Sequence, residues 1–580
     1  MIFPLQLFRS FIPLRNPLGF GAGDFIEFTV TALLLFLVLA RPWTGSRGAK
    51  LAEKTGWCML ILATLPVALR LLLIPHHPVP SPNIYDEFSH LLVADTLRHL
   101  RLANPPHPLH QFFETFFVQQ EPTYSSIYPI GQGIALALGW TIFGHPWAGV
   151  VLSVAAFSSL CYWMLRGWTT LGWALVGGLL AALEFGPLNQ WMNSYWGGAV
   201  PAAAGCLVFG ALPRLCGAKR VRDGGLVGAG VAIHLLARQY ETIFLVGSVL
   251  LFFAPVWRRR EEWRRLAKPA IAAVLVLLPA IAITLAQNRQ VTGSWTTLPE
   301  MLSQYQYGVP AALTFQAKPV PHRELTPQQQ LDYRMQSSFQ TGPETVQTYL
   351  TRLEYRVRFY RFFFLTPLYL ALPFFLSTLR EYRFVWVVLC LVLFALGVNF
   401  FPAFQFHYIA AVTCLFVLVS VKGLERLSWL KIRGRPVGYE AACLILFFCV
   451  VQFLFWYGLH VFDDQPFSTE MRQYETWDAV NHGDPLGRSA INTQLAQISG
   501  KKLTFVRYWP QHIFQQEWVY NAADIDRAPV VWARDLGPAE NQKLLRYYPD
   551  RTAWLLEPDA KPPKLSRYES AAGPDVGVYP

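Results

Sequence analysis

Apolar runs of roughly 17 residues or more recur along the chain, and runs of that length suit membrane-spanning helices. About twelve spans are predicted, over roughly 25–41, 57–74, 148–165, 169–186, 199–213, 224–237, 241–256, 268–287, 361–378, 384–400, 404–421 and 439–460. Basic residues gather in alternate connections: Arg41, Arg47, Lys50 and Lys54; Arg166; Arg214, Lys219, Arg220 and Arg222; Arg258, Arg259, Arg260, Arg264, Arg265 and Lys268; Arg380 and Arg383; and Lys422 through Arg435. Cytoplasmic loops carry such an excess, and one topology satisfies it throughout if 127–143 does not cross. That segment is apolar but holds Pro129, Gly131 and Gly133. A re-entrant or surface-lying helix is expected there.

The loop 75–147, the turn 187–198, the loop 288–360 and the tail 461–580 then fall on the outer side. The predicted fold class is mainly α: a polytopic membrane bundle over 1–460, with amphipathic juxtamembrane helices in its first outer loop. A small α/β domain over 461–580 follows. The tail is polar, with strand-like runs at 502–506, 529–533 and 552–556 and a helical stretch at 540–546. About 120 residues can hold a small core of their own.

Composition agrees with a membrane protein. Of 580 residues, 53% are hydrophobic and 15% charged, against about 25% charged in soluble domains. The net charge of +12 does not imply nucleic acid, because the cations sit between apolar runs rather than along one stripe. All eight cysteines lie in or beside apolar runs, so disulfides and thiolate metal sites are not expected. Residues 1–24 lack the pattern of a cleavable signal peptide.

The candidate chemistry lies at the outer rim. Asp86 and Glu87 follow directly on the span ending near Ile74 and open a predicted helix, with Asn83 as N-cap, running to about Arg101. Its apolar side, Phe88, Leu91, Leu92 and Leu100, is expected on the bilayer. The acids either complement the helix dipole or carry chemistry. His90 shares their face at spacings of three and four, which also suits half of a metal site from Asp86, Glu87 and His90. Glu121 and Tyr128 lie in a Pro-bounded loop that either anchors at the interface or contacts substrate. Asn193 and Tyr195 lie in an aromatic turn that suits either a sugar site or an aromatic belt. Arg238, with Tyr240 and Glu241, interrupts an apolar stretch; its partner is either Glu241 or a lipid phosphate. His407 and Tyr408 form another rim cluster. Arg352, Arg356, Arg358 and Arg361 sit on the outer side against the usual bias, as an anion site or as partners of Glu354 and headgroups.

In this order, these residues resemble the C-type glycosyltransferase superfamily, and within it the protein O-mannosyltransferase and lipid A aminoarabinose transferase branch. The resemblance covers roughly 57–421. It rests on the Asp86-Glu87 pair, the segment ending Ile142-Phe143-Gly144, the Leu235-Leu236-Ala237-Arg238 element and His407-Tyr408. It implies a polyprenyl-phosphate sugar donor and an outward-facing site in a bacterial-type inner membrane. By that resemblance Asp86 would be catalytic base or help hold a divalent cation, Mg or Mn, and Glu87 would orient it. Arg238, with His407 and Tyr408, would meet the lipid phosphate. Glu121, Tyr128, Asn193, Tyr195 and Tyr240 complete the predicted site. Asn193-Ser194 stands where relatives often carry an acid, and His407 where they often carry Arg.

The expected activity is therefore an inverting transfer of a sugar to an acceptor hydroxyl or amine (EC 2.4 class), with the tail on the periplasmic side. The alternatives are a lipid-linked sugar transporter or flippase, and a non-enzymatic scaffold. A transporter would show paired broken helices in repeated halves, and no repeat is visible.

Overall fold

The computed structural model describes residues 19–39, 52–256, 260–340, 342–462, 484 and 486–569. The predicted basic positions Arg41, Arg47, Lys50, Arg258 and Arg259, and the first part of the tail, lie outside the described residues. The chain is mainly helical. Among the described residues six helices are long and apolar enough to cross a membrane: Thr55–Leu72, Trp147–Leu165, Ala199–Ala218, Trp263–Thr292, Phe406–Ser428 and Val437–Val461.

Each predicted span falls on a helix except the one at 361–378, which is a chain of short turns, Arg358–Phe363, Thr366–Leu370, Leu372–Phe375 and Leu376–Thr378. Pro367 and Pro373 lack the N–H a continuous helix needs and clash with the preceding turn. The segment at 127–143 forms the 14-residue helix Ile130–Phe143. At 1.5 Å per residue it reaches about 21 Å, short of a hydrocarbon core of about 30 Å. Small residues let the helices meet closely: a Cβ on Gly205 would sit 1.8 Å from the Ala411 carbonyl oxygen.

The outer segments pack on one another. The tail builds a four-stranded sheet from β1 (Lys501–Val506), β2 (Val530–Arg534), β3 (Arg551–Glu557) and β4 (Lys564–Arg567), in the order β2-β1-β3-β4. The first three strands are parallel, and β4 runs antiparallel at one edge. Parallel strands need crossovers, which Pro538–Tyr547 and irregular chain supply. The sequence reading placed β1, β2, β3 and that helix; it missed β4 and the helix Arg488–Gln497.

This sheet shares a core with the first outer loop. Phe88, Leu92, Phe112 and Phe113 bury against Leu503, Phe505, Val531 and Leu544. The apolar side of the Asp86 helix is thus covered by protein, which corrects the expectation that it lies on the bilayer; only Leu100 stays fully exposed. Arg534 on β2 fastens three segments at once. Its guanidinium pairs with the buried Glu517, donates to the Glu114 carbonyl of the first loop, and donates to Gln328 Oε1 of the second at 2.9 Å.

Candidate functional site

The helix Tyr85–Arg98 begins at Ile84, not at Asn83. Glu87 sets that start. Its Oε2 accepts from the backbone N–H of Asn83 at 2.8 Å and of Ile84 at 3.2 Å, filling donors the first turn leaves open. Its Oε1 accepts from the N–H of Tyr195 at 2.8 Å. Glu87 therefore pins the helix to the turn 189–198, and the other acid, Asp86, is free to face elsewhere.

Asp86 is 8% exposed and accepts a hydrogen bond from the Tyr128 hydroxyl. Burial pushes its carboxyl up to about 6, while the Tyr128 hydrogen bond and the Arg238 charge favour the ionised form. Tyr128 is held by a stack on the His90 ring, 4.2 Å between centroids, and by Gln287 Nε2, which donates to its carbonyl at 2.9 Å. Burial pushes His90 down to about 3, so its imidazole is neutral. Among the described residues its Nδ1 has no hydrogen-bond partner.

Arg238 sits in an extended break (φ −147°, ψ 90°) between the helices Val221–Ala237 and Gln239–Phe252. Gly131 makes room beside that break: a Cβ there would lie 2.7 Å from Leu236 and Ala237 backbone atoms. The short helix Ile130–Phe143 can therefore bring Tyr128, just before its start, close to the Arg238 break. The guanidinium lies 5.1 Å from the Tyr408 ring centroid, and its Nη1 is 3.8 Å from Glu241 Oε1. Among the described residues its N–H donors make no hydrogen bond, and its side chain is 19% exposed. An arginine with open donors beside a buried carboxylate is a receptor for an anionic oxygen.

The structure brings Asp86, Tyr128, His90, Arg238, His407 and Tyr408 into one packed group: Tyr128 bonds Asp86 and stacks on His90, Arg238 lies over Tyr408, and Gly131 packs the first set against the Arg238 break. His407 is buried with its ring 4.9 Å from those of Trp196 and of Tyr408, and among the described residues its Nδ1 has no hydrogen-bond partner. Other predicted site residues are occupied elsewhere. Asn193 accepts from Arg70 Nε at 2.7 Å and donates to the Pro187 and Asn189 carbonyls at 2.8 Å, so its amide closes a turn. The Tyr195 hydroxyl donates to the Pro80 carbonyl at 2.8 Å, and that of Tyr240 to the Gly397 carbonyl at 3.0 Å. Glu121 belongs to an outer ion cluster, 3.3 Å from Arg323 and 3.6 Å from His110. The expected anion site of the outer arginines is also corrected. Arg352 pairs with Glu344 at 2.6 Å, Arg356 donates to carbonyls between Val398 and Ala403, and Arg361 pairs with the buried Asp24. Each satisfies the protein's own buried acceptors.

The donor set does not fit a resident cation. Among the described residues no three His, Cys, Asp or Glu side chains gather as metal ligands. Both oxygens of Glu87 are held by backbone N–H groups, so of the predicted set only Asp86 and His90 remain, too few donors to hold a hard cation.

Three residues around the site escaped the sequence reading, Asp332 and Tyr520 on the Asp86 side and Glu300 on the Arg238 side. Asp332, fully buried in Pro327–Ser337, accepts from Gln336 Nε2 at 3.0 Å, and burial, with the Asp86 charge adding, pushes it up to about 7. Glu300, at the start of Pro299–Tyr307, is pushed up to about 7 by burial and by Glu241. Tyr520, from the tail, stacks face to face on Phe88 at 4.4 Å. The polar sequence around each gave no periodic signal; only the Pro at the head of each loop helix marked where acids would be fixed.

No family model matches the chain, and no curated protein does. Solved structures similar to it include ArnT from Cupriavidus metallidurans bound to undecaprenyl phosphate, at 13% identity over 87% of this chain and 93% of that one, with a TM-score of 0.49. They also include the Archaeoglobus fulgidus oligosaccharyltransferase tethered with an acceptor peptide, at 11% identity over 86% of this chain and 69% of that one, TM-score 0.40. The archaeal oligosaccharyltransferase AglB from Archaeoglobus fulgidus, in complex with an inhibitory peptide and a dolichol-phosphate, shows 10% identity over 87% of this chain and 69% of that one, TM-score 0.35. Likeness of this degree assigns no ligand, reaction or residue role to the chain.

Proposed function

We propose that this protein transfers a sugar from a polyprenyl-phosphate donor to an acceptor hydroxyl or amine at the outer membrane surface, by a single inverting displacement. One observation supports the reading: a buried carboxylate from the first loop, held by Tyr128, and a guanidinium with open donors from a break between two apolar helices are brought together, because Gly131, three residues after Tyr128, packs on the Leu236–Ala237 backbone at that break.

In the proposed step Asp86 takes the proton from the acceptor as its oxygen or nitrogen attacks the anomeric carbon. The bond from that carbon to the phosphate oxygen breaks, and its electron pair leaves with the lipid phosphate. Arg238 receives the charge that grows there, and Tyr408 holds the guanidinium from its other face. Tyr128 keeps the Asp86 carboxylate ionised and aimed, and Glu87 fixes the helix start beneath it. A well-placed base contributes about 10²–10⁴ in rate, or about 3–5 kcal/mol. A soluble nucleotide sugar would stand on the wrong side for an outward-facing site, which favours a lipid-borne donor. The bacterial inner membrane and the periplasmic placement of the tail 461–580, which packs with the first loop around one core, belong to the same proposal.

The test uses the full-length protein in lipid nanodiscs. Asp86→Asn should fold like the wild type yet lose transfer from a polyprenyl-phosphate sugar by at least about a hundredfold. Polyprenyl phosphate should raise the melting temperature of the wild type and of Asp86→Asn, but not of Arg238→Gln. Near wild-type transfer by Asp86→Asn would remove the reading. So would equal stabilisation of Arg238→Gln by polyprenyl phosphate.

A further inference from the structure

The tail holds a cavity of about 480 Å³ between the helix Arg488–Gln497 and the start of the β1-β2 edge. Asn492 and Ala496 of that helix form one wall, and Tyr520, Pro529 and Trp532 form others. Lys502 closes the floor. It is 5% exposed, and among the described residues its ammonium makes no ion pair or hydrogen bond. Arg551 fixes this floor by donating to the carbonyls of Lys502, Ala528 and Asp526, and it brings a second positive charge beside it.

Lys502 is largely buried, lines the cavity and has no counter-charge among the described residues, so its ammonium can receive a ligand anion there. The volume lies in the range of small-molecule sites and holds one or two sugar rings, not a helix or an extended protein segment. Aromatic walls take the apolar C–H faces of a sugar, the Asn492 amide takes hydroxyls, and the ammonium takes one anionic substituent. The side chain of Asn521, also in the wall, is occupied: it exchanges two 2.8 Å hydrogen bonds with the Trp532 backbone and holds the cavity open. From this geometry we infer that the cavity is a binding site for an anionic hexose, a uronate or a sugar phosphate.

The site also communicates with the Asp86 helix. Tyr520 in its wall stacks on Phe88, the Asn521 carbonyl accepts from Tyr124 at 3.0 Å, and the Ala523 N–H donates to Asp95 at 2.8 Å. An occupant therefore leans on the strap 520–523 that secures the acid helix. Binding itself is independent of the transfer reaction proposed above.

Equilibrium dialysis of the full-length protein against labelled D-glucuronate, D-glucose 6-phosphate and D-glucose tests the inference. At least one anionic sugar should bind saturably and at least about tenfold more tightly than glucose, the factor expected of one charge-assisted hydrogen bond. The tighter of the two anions identifies carboxylate or phosphate. Lys502→Gln and the cavity-filling Ala496→Trp should each weaken that binding about tenfold or more, while Arg238→Gln, which removes the anion receptor of the transfer site, should leave it unchanged and so separate the two sites. Ala496 is exposed on its helix, so its replacement can be checked for unchanged melting. Equal binding to the wild type and Lys502→Gln, glucose binding as tight as the anions, or no saturable binding below about 10 mM would overturn the inference.

Discussion

Replacing Tyr128 with phenylalanine isolates one hydrogen bond at the heart of the site. The ring stays stacked on His90 at 4.2 Å, and only the donor to Asp86 is removed. That bond favours the ionised carboxylate, against burial, which favours the neutral acid. A hydrogen bond to a charged group is worth about 1.5–3 kcal/mol, and each pH unit is about 1.4 kcal/mol, so its loss should raise the Asp86 pKa by about one to two. A base works only when ionised, so activity rises with pH through its pKa. The wild-type acid limb of kcat/KM should therefore fall near pH 6, and that of Tyr128→Phe near pH 7 to 8. At pH 6.5 an upward move of about 1.5 leaves about a tenth of the carboxylate ionised against about three quarters in the wild type, so the variant should run about eightfold slower there. Near pH 9 the two should converge. The assay is transfer from a synthetic polyprenyl-phosphate sugar across pH 5 to 9. An unchanged limb, or one displaced to lower pH, would refute the assignment of Asp86 as the base.

Three other outcomes follow from the same geometry. Arg238→Gln removes a charge that favours the Asp86 carboxylate, so its acid limb should also move up, and its KM for the lipid phosphate should rise about tenfold or more; kinetics with a polyprenyl-phosphate series reads both. Gly131→Ala places a methyl group 2.7 Å from the Leu236–Ala237 backbone and should cost about 1–3 kcal/mol, with a loss of transfer because the Arg238 break is displaced; thermal unfolding alongside activity checks it. Arg534→Met leaves Glu517 buried without its partner and should destabilise the outer segments by about 3–5 kcal/mol. Limited proteolysis should then cleave between 520 and 569 well before the apolar helices are touched.

The bundle was legible because apolar runs of spanning length depend on composition alone. The failure at 361–378 shows the limit: the run is apolar, yet Pro367 and Pro373 decide its backbone. The strands at 502–506, 529–533 and 552–556 were visible as compact runs of β-branched and aromatic residues. β4, Lys564–Arg567, is short and polar and exists only because it pairs with β3. At the site, Asp86 and Arg238 were conspicuous because a charge beside apolar sequence needs a reason. Glu87 was read as chemistry, but its oxygens complete a capping box and a tertiary link. Asn193, Tyr195 and Tyr240 suited ligand contact, yet Asn193 engages Arg70 and carbonyls four and six residues away, and the two hydroxyls donate to carbonyls 115 and 157 residues away. Which polar group has donors left over depends on tertiary packing, and sequence spacing does not encode it.

The stack of Tyr520 on Phe88 and the bond from Ala523 to Asp95 carry a temporal consequence. These partners are separated by 432 and 428 residues, so the strap leaves the ribosome long after the acid helix. Until then the helix lacks its roof, and Phe88 faces water or lipid headgroups. A chain still under synthesis thus holds its acid helix in an unfinished setting until residue 523 has been made and the strap has folded down.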